Sequence, residues 1–207
     1  MRPWLPLVLA VLLSSCAGGG PVPEDRFYRV EVARPVTAGA PLLRGGLLVE
    51  RLRADALRAG RAMLYRQADR PLELGRYHYL FWAQPPNQMV QQQLAAWLRG
   101  AGLADHVYTG EEALPHRYRL SGRLLAFERE IGTSGVTMHV ALQLTLTRQG
   151  DREPLLEKDY RVDRPVAGRD AHATALAAQQ ALERLFHSLA GDIARLDLVA
   201  GRRETTL

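Results

Sequence analysis

A single cysteine, Cys16, excludes an intramolecular disulfide in any redox compartment. Lysine is almost as scarce: Lys158 stands alone, and no glycine-rich stretch leads into it, which removes a phosphate loop of the G-x-x-x-x-G-K type. The histidines, His78, His106, His116, His139, His172 and His187, are scattered. None has ligand spacing to another His, Cys or carboxylate, and H-E-x-x-H is missing, so neither a metal nor a cofactor is expected. His139 falls on the polar side of an alternating strand, where a solvated or hydrogen-bonded ring fits. His187 reads as helix surface. There is no G-x-S-x-G elbow, and turn chemistry accounts for Ser134 in Gly132-Thr133-Ser134-Gly135. Glu128 and Glu130 flank Arg129 at a strand end. A solvated edge suits them better than an acid and base pair, which would need a cleft. With no activated nucleophile in view, no enzyme is expected.

Charge of one clustered sign is lacking as well. The net charge is +5 and the pI near 9.8. The arginines are nevertheless interleaved with acids, as in Glu50-Arg51-Leu52-Arg53-Ala54-Asp55. A nucleic-acid surface wants a basic cluster with few acids in it, so no nucleic-acid partner is expected. Mild attraction to anionic lipid headgroups remains compatible with this surface. Hydrophobic content of 47%, with no internal repeat, fits one well-buried globular domain.

Long hydrophobic runs are confined to the start. Arg2 is a short positive region, and Leu5, Leu7, Val8, Leu9, Ala10, Val11, Leu12 and Leu13 follow it. A membrane span needs roughly 20 apolar residues; this stretch is too short and has the layout of a secretory signal. Its end, Leu13-Ser14-Ser15-Cys16, resembles the lipobox of bacterial lipoproteins, which implies cleavage before Cys16 and acylation of that thiol. Ala17-Gly18-Gly19-Gly20-Pro21-Val22-Pro23 then reads as a flexible tether. Ala17 stands where an aspartate would resemble an inner-membrane retention signal, so the resemblance points to the periplasmic face of the outer membrane. The expected organisation is a signal peptide over 1–15, a lipidated tether over 16–25, one periplasmic domain over 26–198 and a frayed tail over 199–207.

Within the domain, Phe27 to Val32 alternates as a half-buried strand. A loop marked by Pro35, Gly39, Pro41 and Gly45-Gly46 leads to strands at Leu47 to Leu52, Arg61 to Arg66 and Tyr77 to Trp82. From Pro85-Pro86-Asn87 the period changes: Val90, Leu94, Trp97, Leu98 and Ala101 predict an amphipathic helix stopped at Gly100 and Gly102. A short strand at Val107-Tyr108 follows. Tyr118, Leu120, Gly122, Leu124 and Ala126 alternate, as do Val136 through Leu146, and the turn between them predicts an antiparallel hairpin. Leu155 to Val162 is a further strand. Asp170 to about Leu196 is a long helix whose stripe is Leu182, Leu185, Phe186, Leu189, Ile193 and Leu196. The fold class is α/β, a mixed sheet with two principal helices, with α+β as the alternative.

Two groups are candidates for contact with a partner or lipid. Tyr77, Tyr79, Phe81 and Trp82, with Tyr28, Tyr65 and Trp97, line either an apolar groove or simply the core, and strand aromatics more often pack. Gln84, Asn87, Gln88, Gln91, Gln92 and Gln93 form an uncharged helix face, suited to an interface poor in charge or to solvent. Tyr77, Tyr79, Trp82, Gln88 and Gln92 are the residues singled out for such contact.

A lipobox, Phe27-Tyr28-Arg29-Val30, Leu48-Val49-Glu50-Arg51-Leu52, Leu64-Tyr65-Arg66, Tyr77 to Trp82 leading through Ala83-Gln84-Pro85-Pro86 into a helix, then a late strand pair and an Ala-rich helix follow in order. Together they resemble the ABC-type transport auxiliary lipoproteins of the paraquat-inducible protein C type. The chain departs in having Leu52 where a proline is common and Gln84 where an acid is frequent. The resemblance implies a non-enzymatic partner of a lipid transport system. There it would dock a periplasm-spanning MCE-domain protein served by ABC transporter subunits and support membrane integrity. It also implies a fold similar to the amino-terminal, anticodon-binding-domain-like part of the Tol propeller protein. A direct lipid carrier and an envelope assembly factor, for lipopolysaccharide or Tol-type machinery, are the alternatives. The short tether also permits a homo-oligomer around a partner.

Overall fold

The computed structural model describes residues 23–36, 39–110 and 114–196. Cys16, the signal peptide and residues 199–207 lie outside them. The elements are β1 (Arg26–Tyr28), β2 (Leu43–Val49), β3 (Ala62–Gln67), β4 (Arg70–Trp82), α1 (Pro86–Gly100), β5 (Ala104–Thr109), β6 (Tyr118–Ile131), β7 (Val136–Arg148), β8 (Leu156–Pro165) and α2 (Ala171–Ala194). They form a mixed, curled eight-stranded sheet with two helices, an α/β architecture.

β6 is the axis of the sheet. One edge pairs antiparallel along its length with β7, which pairs in turn with β8. The other edge is shared. β2 runs parallel to Tyr118–Leu120, and β3 runs parallel to Glu128–Ile131, with an isolated bridge from Arg53 to Arg123 between them. β5 extends the sheet beyond β2, while β4 and then β1 extend it beyond β3. On that side the sheet therefore splits into two branches.

The alternation read from the sequence explains β7 completely: Val136, Met138, Val140, Leu142, Leu144 and Leu146 are all buried. β6 departs from it. Leu124 pairs with Leu142 and Ala126 with Ala141, leaving Leu125 as an extra residue, a β-bulge. A bulge reverses which parity faces inward, so Phe127 and not Ala126 enters the core, where it packs on Trp82 with ring centroids 5.0 Å apart. Gly122, in the regular part of β6, is held by sterics: a Cβ there would strike the carbonyl oxygen of Gln143 on β7.

Three expected boundaries shift. The first strand stops at Tyr28; Val30 and Val32 are buried but leave the ladder, and the Val32 amide donates to Gln93 Oε1 at 2.9 Å. Gly45-Gly46 lies inside β2 and not in a loop. Gly45 sits at φ +114° beside a register slip, and its amide donates to Asp105 Oδ2 at 2.7 Å. β4 begins at Arg70, so its 13 residues face the 6 of β3 through two register slips.

The helices lie side by side, joined through Trp97 and Phe186 at 6.0 Å. Leu182, Leu185, Phe186, Leu189 and Ile193 of α2 are fully buried, each contributing about 1.5–3 kcal/mol by burial. Asp170 caps α2 by accepting from the Ala173 amide at 2.8 Å. Its far end is tied to β8 at Asp192. Oδ2 of Asp192 receives Lys158 Nζ and the Tyr160 hydroxyl, each at 2.8 Å, and Arg195 takes Oδ1. Lys158, the sole lysine, is the chief cause holding the Asp192 carboxyl down at about 2, against the opposing effect of burial. Burial, then the neighbouring carboxylate, pushes the Tyr160 phenol up. A depressed carboxyl stabilises the fold above its unfolded value near 3.8 and loses that contribution as pH falls towards 2. Urea midpoints measured from pH 6 down to pH 2 should therefore fall less steeply in Asp192→Asn than in wild type. Parallel curves would show that Asp192 is not part of the acid response.

Candidate functional site

The acidic pair on β6 is divided between different partners. Glu128, expected at a solvated edge, is 3% exposed, so that reading is corrected. The chain between β2 and β3 folds back over it. Arg58 reaches Glu128 with two bonds, Nε to Oε2 at 3.1 Å and Nη2 to Oε1 at 2.8 Å. Arg58 is itself held by Asp55 Oδ2 at 2.6 Å, and Asp55 Oδ1 accepts the amides of Leu57 and Arg58. Burial opposes the charge on Arg58, and the two carboxylates outweigh it, raising its pKa.

Glu130 lies two residues on and binds Arg66 Nε at 2.8 Å. His139 places Nδ1 2.7 Å from Asp163 Oδ1, with Nε2 3.6 Å from Glu130. A histidine between carboxylates can serve as a general base, activate a nucleophile or hold a metal. Its described contacts include no hydroxyl or thiol, and among the described residues no group of three or more His, Cys, Asp or Glu side chains is placed to hold a metal ion. What this cluster does is fasten β3, β6, β7 and β8 across the sheet.

The candidate contact residues scatter. Trp82 is 2% exposed and packs on Phe127, which makes it core and corrects its selection as a contact. Tyr77 is half-buried, 4.7 Å from Tyr65 and beneath the Arg129 guanidinium at 5.7 Å. Tyr79 is exposed. The glutamine face of α1 is not uniformly solvated: Gln91 Nε2 donates to the Val49 carbonyl at 2.9 Å and Asn87 Nδ2 to that of Leu52 at 3.0 Å. With Gln93 they satisfy backbone groups where β2 and the segment after β1 leave the ladder. Gln88 and Gln92 are half-buried and take no part in those bonds. β4 packs on β3 and β1, whereas α1 packs on β2, β5, β6 and α2, so tyrosines and glutamines belong to different neighbourhoods.

A groove that the sequence did not single out opens beside β1 and β4. It has a volume of about 450 Å³ and is lined by Phe27, Leu57, Arg61, Leu64, Arg76 and Phe81. Phe27 stacks on Phe81 at 5.5 Å, and Arg61 sits 5.0 Å over the Phe27 ring. Two partly exposed aromatics under a cation offer a surface for binding.

The sequence profile of the ABC-type transport auxiliary lipoprotein component matches residues 31–190, most of the chain. The chain belongs to this family. An auxiliary lipoprotein is an envelope protein held at a membrane by its lipid, and the family is not a catalytic one. No helix among the described residues is long and apolar enough to cross a membrane. A Xanthomonas campestris protein of the DUF330 family has the same fold, with a TM-score of 0.72 and 24% identity over 81% of this chain and 93% of its own. A second solved structure, of an uncharacterised protein, aligns with a TM-score of 0.64 at 14% identity, covering 83% of the auxiliary lipoprotein and 99% of that chain. Comparison with curated proteins gives no match.

Proposed function

We propose that this auxiliary lipoprotein is acylated on Cys16 and held at the periplasmic face of the outer membrane, where it docks an MCE-domain protein. That partner would span the periplasm and work with the ABC subunits of a lipid transport system. The family match across 31–190 carries the reading, because it begins beyond a signal-like segment, a lone cysteine and a Gly- and Pro-rich stretch. The signal peptide at 1–15, the tether at 16–25 and a single domain from 26 to 198 are parts of the same proposal. Exposed Tyr79 with Tyr77 on β4, and Gln88 with Gln92 on α1, are the proposed contacts. Their support is that Tyr79 faces solvent and that both glutamines stay out of the bonds anchoring their neighbours.

The test is affinity purification of the full-length lipidated protein from membranes in mild detergent, with mass spectrometry of what accompanies it. Recovery of an MCE-domain protein with ABC subunits is the expected result. Cross-linked fractions free of both would overturn it, and recovery of lipopolysaccharide-assembly or Tol components would move the function to envelope assembly.

A further inference from the structure

Arg129 is 4% exposed, yet it enters no salt bridge among the described residues. Its Nη2 donates to the Arg169 carbonyl at 2.7 Å, and its buried Nε has no partner. The Tyr77 ring beneath it offsets part of the desolvation without neutralising the charge. A buried guanidinium with no carboxylate is costly, and proteins ordinarily supply it with an anion.

The surroundings provide room for one. Arg129 lines a cleft of about 440 Å³ together with Arg26, Tyr28, Tyr77, Arg169 and His172. The cleft sits at the amino terminus of α2, a helix of 24 residues, whose dipole favours negative charge there. The one carboxylate on the lining, Asp170, is engaged in capping through the Ala173 amide. Arg169 reaches the Gly132 carbonyl at 3.3 Å, and neither it nor Arg26 enters a salt bridge among the described residues. Tyr28 and His172 also line an adjoining groove of about 370 Å³, whose further wall includes Phe27, Ala175 and Leu176. A cationic cleft thus continues into a groove of mixed lining, with an apolar strip of Phe27, Ala175 and Leu176 beside Arg29, Glu31 and Gln179.

We propose that this cleft binds an oxyanion of the phosphate class, with Arg129 and Arg26 as its charge partners. The oxyanion is borne on a lipid headgroup whose apolar part follows the adjoining groove, or is free phosphate. The proposal goes beyond the docking reading and does not depend on which partner the protein meets.

Full-length protein in an uncharged detergent is titrated with inorganic phosphate and, separately, with dihexanoyl phosphatidylglycerol, by isothermal titration calorimetry. Wild type is compared with Arg129→Gln and Arg26→Ala. Saturable binding of inorganic phosphate, weakened about tenfold or more in each folded variant, is one expected result and makes free phosphate a sufficient ligand. Saturable binding of phosphatidylglycerol alone, weakened by the same variants, supports the site and assigns the oxyanion to a headgroup. No saturable binding of either probe, or binding that a folded variant leaves unchanged, overturns the proposal. If Arg129→Gln fails to fold, the exposed Arg26→Ala carries the test.

Discussion

Arg58→Ala is expected to destabilise the fold by about 3–5 kcal/mol, the usual cost of removing one member of a buried ion pair. The Glu128 side chain is 4% exposed and that of Arg58 17%, so solvent cannot easily replace the guanidinium. Without it, the described partner left to Glu128 is the amide of Phe127, at 2.8 Å from Oε2. The turn anchored on Asp55 would also lose its hold on β6. The double variant Arg58→Met/Glu128→Leu should recover most of the loss, because an apolar pair of similar volume avoids desolvating charges. Urea midpoints of the wild type, both single variants and the double variant give the coupling directly. A loss below about 1 kcal/mol in Arg58→Ala would mean that the pair behaves as a surface salt bridge.

Cys16→Ala should abolish acyl labelling completely and move the protein from the membrane to the soluble fraction. Two or more acyl chains, at about 0.8 kcal/mol per buried methylene, suffice for stable anchoring, whereas one chain is marginal. The described domain contains no helix able to substitute. Its thermal midpoint should be unchanged, since the first strand begins at Arg26. Fatty acid label retained on the variant would refute acylation at this thiol.

Where a pattern stays local, the sequence was readable. The period of β7 and the stripe of α2 gave the right faces, because each residue's neighbours follow from its own element. The alternation of β6 failed after Leu124 because a bulge depends on what its partner strand requires, and this hid both Phe127 and Arg129. Arg70 to Arg76 of β4 carries little apolar signal: its side chains are exposed or half-exposed, and Pro71 argues against a strand. Asn87, Gln91 and Gln93 looked like a solvated face, since the backbone groups they satisfy lie about 35 to 61 residues away in the chain. Arg58 gave no signal at all, its partner being 70 residues further on. Of the candidate contacts, Trp82 was lost to the core, the commoner fate of strand aromatics.

The shared edge of β6 also governs the order of assembly. Through residue 110 the chain can form only two sheet fragments, β1-β4-β3 and β2-β5, with no ladder joining them. They are united when Tyr118–Ile131 arrives and offers each its own half of one strand. A chain that emerges amino terminus first thus exposes the unpaired edges of β2 and β3 until Tyr118–Ile131 appears. Such edges are templates for aggregation. Both edges stay open to pairing with another chain until β6 is complete, and that one strand closes them together.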